Sequence, residues 1–168
     1  SRNFLKKYYN KALSEVDYVV AISEYVKSKI INMYNIDANK ITVINRGIDT
    51  NFLNPKINDE SVFINFLTKY NIPNDKKIIL YPGRLTKWKG QIDFLKIIES
   101  YRNDNIVFYF AGDDKNKTYT SKLINEINKK GIKLNCKIMG HLSRTNLKMM
   151  YKCADLVISA PLKPEGFC

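Results

Sequence analysis

The chain has 168 residues, a hydrophobic content of 45% and a formal net charge of +12. This length fits one domain, or one domain with part of another, and the apolar content is sufficient for a packed core, which excludes a disordered chain. No apolar run approaches the roughly 20 residues of a membrane-spanning helix, and the start, SRNFLKKYYNKAL, lacks the pattern of a signal peptide. Without an initiator Met, and with an abrupt end at residue 168, the sequence is expected to be a piece of a longer protein.

The cysteines and the charge pattern favour an intracellular protein with a solvated basic surface. Cys136, Cys153 and Cys168 form no CxxC pair, so neither a disulfide framework nor a zinc site is expected, and Cys136 and Cys153 are predicted to be small core residues. The cations are spread over both halves, which is more typical of a solvated surface than of a nucleic-acid groove. The positive field would still attract anionic ligands or an anionic membrane leaflet.

Short apolar strands alternate with amphipathic helices along the first half of the chain. The predicted elements are a helix at 3–13, a strand at 17–22, a helix from the cap Ser23 to about Tyr34, a strand at 41–44, and a helix ending near Tyr70. The continuous β-branched run at 17–22 predicts a buried parallel strand.

The second half continues the alternation. Strands are predicted at 78–81, 106–111, 134–139 and 154–159, with helices at 91–101, from 119 to a C′ glycine at 131, and from the cap Ser143 to 152. This pattern predicts a Rossmann-like parallel α/β sheet with right-handed crossovers, in which ligands bind beyond the carboxyl ends of the strands. Each of these last four predicted strands is followed by a glycine: Gly83, Gly112, Gly140 and Gly166.

The stretch LYPGRLTKWKGQIDF, residues 80–94, places two cations in one glycine-flanked turn. Arg84 can grip two phosphate oxygens, Lys89 adds a point charge, and the amides at the start of the next helix are expected to be unsatisfied and to carry positive partial charge. Together they predict a diphosphate-binding turn, although neither a Walker loop nor a GxGxxG fingerprint is present. The alternative is a surface loop with two solvated cations.

A second candidate follows the last predicted strand, in residues 161–167. Glu165 could accept hydrogen bonds from sugar hydroxyls, or it could simply complement a helix dipole. Asp113 and Asp114 are interpreted as turn residues, and no carboxylate pair spaced for a metal is visible.

Six segments resemble, in order, the GT-B glycosyltransferases of family 4, the retaining "glycosyl transferases group 1" enzymes. They are VINRGID (43–49) with Phe52 and Pro55, YPGRL (81–85) with Lys89-Gly90, FAGD (110–113), MGHL (139–142), YKCAD (151–155), and 159–167, which leads into the family's Glu-x7-Glu motif.

The resemblance implies a role for each matching residue. Arg84 and Lys89 would hold the diphosphate of a nucleotide-sugar donor, with Gly83 close to it. Gly140, His141 and Leu142 would line the nucleobase. Glu165 would contact the donor sugar, together with the backbone of Gly166 and Phe167; Arg84, Lys89 and Glu165 are thus the catalytic candidates.

The resemblance also implies a domain division and a set of partners. Residues 1–49 would be the last part of the N-terminal acceptor domain with the hinge, and 50–168 the first part of the donor domain. The implied partners are a nucleotide-sugar donor and a sugar or lipid-linked acceptor. No cofactor or metal is expected, because no carboxylate pair spaced for a metal is visible, and no nucleic acid is expected, because the cations are spread along the chain. The expected setting is the cytoplasm, with a peripheral contact at the inner face of an anionic membrane, in cell-envelope glycan synthesis. A non-catalytic nucleotide-binding module, or a basic nucleic-acid binder, are the alternatives.

Overall fold

The computed structural model describes residues 15–54 and 60–166. Their contacts divide them into two compact units, one of residues 15–49 with 165–166, and one of residues 50–54 with 60–164. The helix predicted at 3–13 lies outside the described residues. The assignment of the units to acceptor and donor parts stays a prediction.

The first unit contains a pair of parallel strands packed on a helix. The strands are β1 (Val19–Ala21) and β2 (Ile41–Val43), and the helix is α1 (Glu24–Tyr34). As predicted, Ser23 caps α1, and its hydroxyl accepts from the amide of Val26 at 3.2 Å.

The buried parallel strand predicted at 17–22 is parallel as expected, but the expectation of burial is wrong for one face. β1 is shorter, and Val20 is 60% exposed while Val19 and Ala21 are buried. The reason is that, within the described residues, the core of this unit lies on the face of the strands that carries Val19, Ala21 and Ile41.

The second unit is a four-stranded parallel sheet with helices between the strands. Its elements are α2 (Glu60–Tyr70), β3 (Lys77–Pro82), α3 (Gln91–Ser100), β4 (Ile106–Ala111), α4 (Lys117–Lys129), β5 (Cys136–Gly140), α5 (Arg144–Cys153) and β6 (Leu156–Val157). The strand order is β5-β4-β3-β6.

Both faces of this sheet are covered. Side chains alternate along β4, so that Phe108 and Phe110 pack with α3 and α4, whereas Val107 and Tyr109 pack with α2 and α5. Burial on both faces explains the continuous apolar runs in the sequence. The predicted α/β class, a Rossmann-like parallel sheet, is confirmed.

Several boundaries differ from the predictions for local reasons. α4 starts before residue 119, because the side chain of Asn116 caps it by accepting from the amide of Tyr119 at 3.1 Å. β6 covers two residues rather than the predicted 154–159. Gly131 does follow α4 with φ +64, as a C′ glycine should, but Gly166 does not lie at a strand end.

The short strand β6 is attached to β3 by a carboxylate. Asp155 accepts from the amide of Ile78 at 2.8 Å and from Lys77 Nζ at 2.7 Å, while its own amide donates to the carbonyl of Ile78 at 2.9 Å. The bond from the Ile78 amide, and then the one from Lys77, hold the pKa of Asp155 below its usual value.

We expect this attachment to make stability depend on acid pH. A carboxyl whose folded pKa is depressed adds stability above its unfolded pKa, about 3.9, and loses it as the pH falls through the folded pKa. The difference in the free energy of unfolding between wild type and Asp155→Ala, measured by urea denaturation, should therefore be full at neutral pH and shrink below about pH 4. Lys77→Met leaves the hydrogen bond from the Ile78 amide in place, so it should lower the free energy of unfolding less than Asp155→Ala does. Equal losses in the two variants would contradict the larger contribution assigned to the Ile78 hydrogen bond.

No helix in the described parts of the chain is long and apolar enough to cross a membrane.

Candidate functional site

The β3–α3 loop (residues 83–90) lies directly on the end of β4. The amide of Gly83 donates to the carbonyl of Ala111 at 2.8 Å, and that of Leu85 donates to the carbonyl of Asp113 at 2.9 Å. A Cβ added to Gly112 would lie 1.9 Å from the carbonyl oxygen of Gly83. Only a glycine at 112 permits this approach, so the loop and the strand end are fitted to each other.

The loop brings both predicted cations to the carboxyl edge of the sheet. Gly83 has φ +139, and a Cβ there would lie 3.6 Å from Cδ and from Cε of Lys89. The lysine stem therefore passes over Gly83, immediately beside Arg84 in the chain. Arg84 is exposed and Lys89 is half-buried, which leaves the guanidinium accessible to an anion.

The expectation of unsatisfied amides at the start of α3 is wrong for two of them: the amide of Gly90 donates to the carbonyl of Lys87 at 3.2 Å, and the amide of Ile92 donates to the Tyr119 hydroxyl at 3.3 Å. Gly90 is buried, and a Cβ on it would lie 2.6 Å from the carbonyl oxygen of Ala160. The chain after β6 thus covers this helix end, so charge complementarity toward an anion comes chiefly from Arg84 and Lys89.

The loop after β5 joins the same edge. The amide of Gly112 donates to the carbonyl of Gly140 at 2.8 Å, and Gly140 has φ +67. His141 is exposed, whereas the Leu142 side chain is buried in the core. Gly140, His141 and the backbone of Leu142 are therefore available at this edge, and the Leu142 side chain is not.

The two aspartates after β4 behave as turn residues, as predicted. Asp113 accepts from the amide of Lys115 at 2.9 Å. The hydrogen bond from Lys117 holds the pKa of Asp114 below its usual value, with a smaller contribution from His141. In residues 15–54 and 60–166, no three His, Cys, Asp or Glu side chains gather in a metal-binding group.

The remaining candidates belong to the first unit or lie outside the described residues. Glu165 is half-buried there. The Ser23 hydroxyl donates to the carbonyl of Gly166 at 2.6 Å, and a Cβ on Gly166 would lie 2.5 Å from Val26. Phe167 is among the residues that the structure does not describe.

Two family models together match most of the sequence. Residues 63–168 match the model described as "Glycosyl transferases group 1", and residues 1–52 match "Glycosyltransferase Family 4". The chain belongs to the glycosyl transferases group 1 family.

Two glycosyltransferases from other organisms resemble the chain, one in sequence and one in fold. An uncharacterized glycosyltransferase of Methanocaldococcus jannaschii is 29% identical over 145 residues, covering 83% of this chain and 35% of that protein. The crystal structure of a glycosyltransferase from Rickettsia africae superposes with a TM-score of 0.84 at 29% identity, over 97% of this chain and 43% of that one.

A third protein with a similar fold was solved with ligands. Anabaena HepE in complex with UDP and glucose superposes with a TM-score of 0.79 at 19% identity, over 98% of this chain and 45% of that one. These neighbours confirm the predicted GT-B type of fold. The chain spans less than half the length of each of these relatives.

Three buried polar side chains beneath the β3–α3 loop escaped the sequence analysis. Tyr81, Gln91 and Tyr119 hydrogen-bond to this loop or to each other. The sequence offered one weak signal: helical periodicity places Gln91 on the apolar face of α3, which the structure shows to be buried. Tyrosines within apolar runs are ordinarily core residues, and they gave no signal.

Proposed function

We propose that the protein containing this chain transfers a hexose from a nucleoside-diphosphate sugar to a sugar or lipid-linked acceptor with retention of configuration. Family membership supports the transferase class. The observation that carries the donor class is the β3–α3 loop, in which the Lys89 stem passes over Gly83 and the next residue, Arg84, is exposed, at the carboxyl edge of a parallel sheet.

In the proposed reaction, the protein acts mainly by stabilising charge on the leaving group. The bond from the anomeric carbon to the diphosphate breaks, and its electron pair leaves with the nucleoside diphosphate. The acceptor hydroxyl oxygen forms the new bond to the anomeric carbon on the same face, and its proton passes to the departing phosphate oxygen. Negative charge grows on the leaving oxygens in the transition state, where Arg84 and Lys89 would stabilise it. In the proposed mechanism, these two cationic side chains stabilise the departing diphosphate without a metal ion.

The other donor contacts are assigned in the same proposal. Gly140, His141 and the Leu142 backbone would face the nucleobase, as the family resemblance implies. The hydrogen bond from the Gly112 amide to the Gly140 carbonyl supports this by joining their loop to the end of β4, on which the β3–α3 loop also lies. Glu165, with the backbone of Gly166 and Phe167, would bind the donor sugar. The UDP and UDP-glucose complexes of HepE support a uridine nucleotide as the first donor to test.

The setting of the reaction is also a proposal. The net charge of +12 suits a cytoplasmic enzyme that contacts an anionic membrane leaflet peripherally. A lipid-linked acceptor in cell-envelope glycan synthesis would be found at that surface.

Calorimetry on the full-length protein tests the donor class directly. We expect UDP or GDP to bind more tightly than uridine or guanosine by about a hundredfold, because the diphosphate adds charge-assisted bonds to Arg84 and Lys89. Incubation with a panel of nucleotide sugars should then release nucleoside diphosphate with one of them, and NMR of the product should show a retained anomer. Equal affinity for diphosphate and nucleoside would refute the site.

A further inference from the structure

Gln91 is a fully buried polar residue at the first position of α3. Its Nε2 donates to the main-chain carbonyl of Arg84 at 3.0 Å, and its Oε1 accepts from the Tyr119 hydroxyl at 3.2 Å. A buried amide is costly unless both ends are hydrogen-bonded. Here both ends are used, and one of them fixes the peptide that carries Arg84.

The other end of the β3–α3 loop is held in the same manner. Tyr81 is 1% exposed, and its hydroxyl donates to the main-chain carbonyl of Lys89 at 2.5 Å while accepting from the amide of Ala160 at 3.2 Å. The ring packs edge-on against Phe94 and near Phe110. The packing of the ring in the core therefore holds the Tyr81 hydroxyl against the main-chain carbonyl of Lys89.

Buried side chains thus bind the carbonyls of both cationic residues, although neither of these side chains is exposed to a ligand. A hydrogen bond to the carbonyl of a residue restricts the main chain at that residue, and with it the directions in which the Cα–Cβ bond can point. Because the Arg84 side chain is exposed and long, its position depends strongly on that direction. These two hydrogen bonds therefore restrain the main chain at both cationic residues without any contribution from a ligand.

We propose that Gln91 and Tyr81 are positioning residues that hold the main chain at Arg84 and at Lys89, so that both side chains can contact one diphosphate. The proposal rests on the proposed function, because it assigns to these residues the geometry of the same donor site. It differs from an ordinary core role, since it predicts a loss confined to the diphosphate part of the ligand.

The test compares ligands with and without phosphates in the full-length protein. Gln91→Met keeps the approximate shape but removes the donor to Arg84, and Tyr81→Phe removes the hydroxyl at Lys89. Both variants should lower the affinity for UDP or GDP, and kcat/KM, by about tenfold to a hundredfold, as misplacement of about 1 Å does. The affinity for uridine or guanosine should be unchanged, as measured by calorimetry.

Asn135→Leu is the matched control. Asn135 is also a buried amide, and its Nδ2 donates to the carbonyls of Asn103 at 2.8 Å and Ile106 at 3.1 Å, at the opposite edge of the sheet. Its loss should lower the free energy of unfolding but leave the ratio of diphosphate to nucleoside affinity as in wild type.

The outcomes separate the two levels of the argument. A wild-type protein with no preference for diphosphate over nucleoside overturns the proposed function, and the positioning role with it. A wild-type preference that Gln91→Met and Tyr81→Phe both retain overturns the positioning role alone. If Gln91→Met does not fold, Tyr81→Phe decides, and a loss of nucleoside and diphosphate affinity together assigns a merely structural role and also overturns it.

Discussion

Replacing Arg84 or Lys89 by alanine in the full-length protein is expected to lower kcat by about a hundredfold, or on the order of 3 kcal/mol. The physical reason is that each cation would stabilise charge that grows on the departing diphosphate, so the loss should fall on the transition state more than on the ground state. The measurement is the steady-state release of nucleoside diphosphate with the active donor.

Lys87→Ala is the matched control for this pair. Lys87 lies in the same 3-10 turn as Lys89, and its side chain is exposed. Its removal changes the net charge by the same amount, so any effect of the general positive field should appear in all three variants. Circular dichroism should show that all three remain folded. Wild-type kcat in Arg84→Ala and Lys89→Ala would exclude the proposed diphosphate contact.

Gly112→Ala is expected to disturb stability and the site together. The added methyl would lie 1.9 Å from the carbonyl oxygen and 2.4 Å from the carbonyl carbon of Gly83. These are backbone atoms, so the β3–α3 loop itself must shift. We expect the free energy of unfolding, measured by urea denaturation, to fall by about 3 kcal/mol. The affinity for nucleoside diphosphate should fall as well.

Gly47→Ala provides the comparison. A Cβ on Gly47 meets nothing within 4 Å, and Gly47 does not have a positive φ, so this change should leave both quantities close to wild type. If Gly112→Ala is as mild as Gly47→Ala, the close packing of the loop on β4 has no energetic consequence.

The sequence allowed most of the second unit to be predicted, because its signals are local or periodic. The apolar run 106–111 is β4 to the residue, and Ser143 caps α5 by accepting from the amide of Asn146 at 3.2 Å, as expected. Apolar runs and side-chain caps are determined mainly by residues close together in the chain, so predictions based on them agree with the folded structure.

Errors occurred where a distant segment changed the local outcome. The start of α3 was predicted to be accessible to a ligand, but the chain after β6 covers Gly90. The sequence of residues 90–94 does not indicate that a segment 70 positions away packs against them. Val20 was predicted to be buried but is exposed. A run of β-branched residues indicates a strand, but it does not indicate whether other segments cover both faces of that strand.

The sequence by itself determined the class of this protein: strand and helix periodicity, glycines at three strand ends, and two cations in one turn depend on short-range chemistry. The tertiary structure alone decided how that turn is held, through hydrogen bonds from Gln91 and Tyr81 to the carbonyls of Arg84 and Lys89, and through the packing of Gly112 under Gly83. The physical reason is that a buried polar group or a close approach of two backbones has meaning only once its partner is in place. No residue carries that information without the fold.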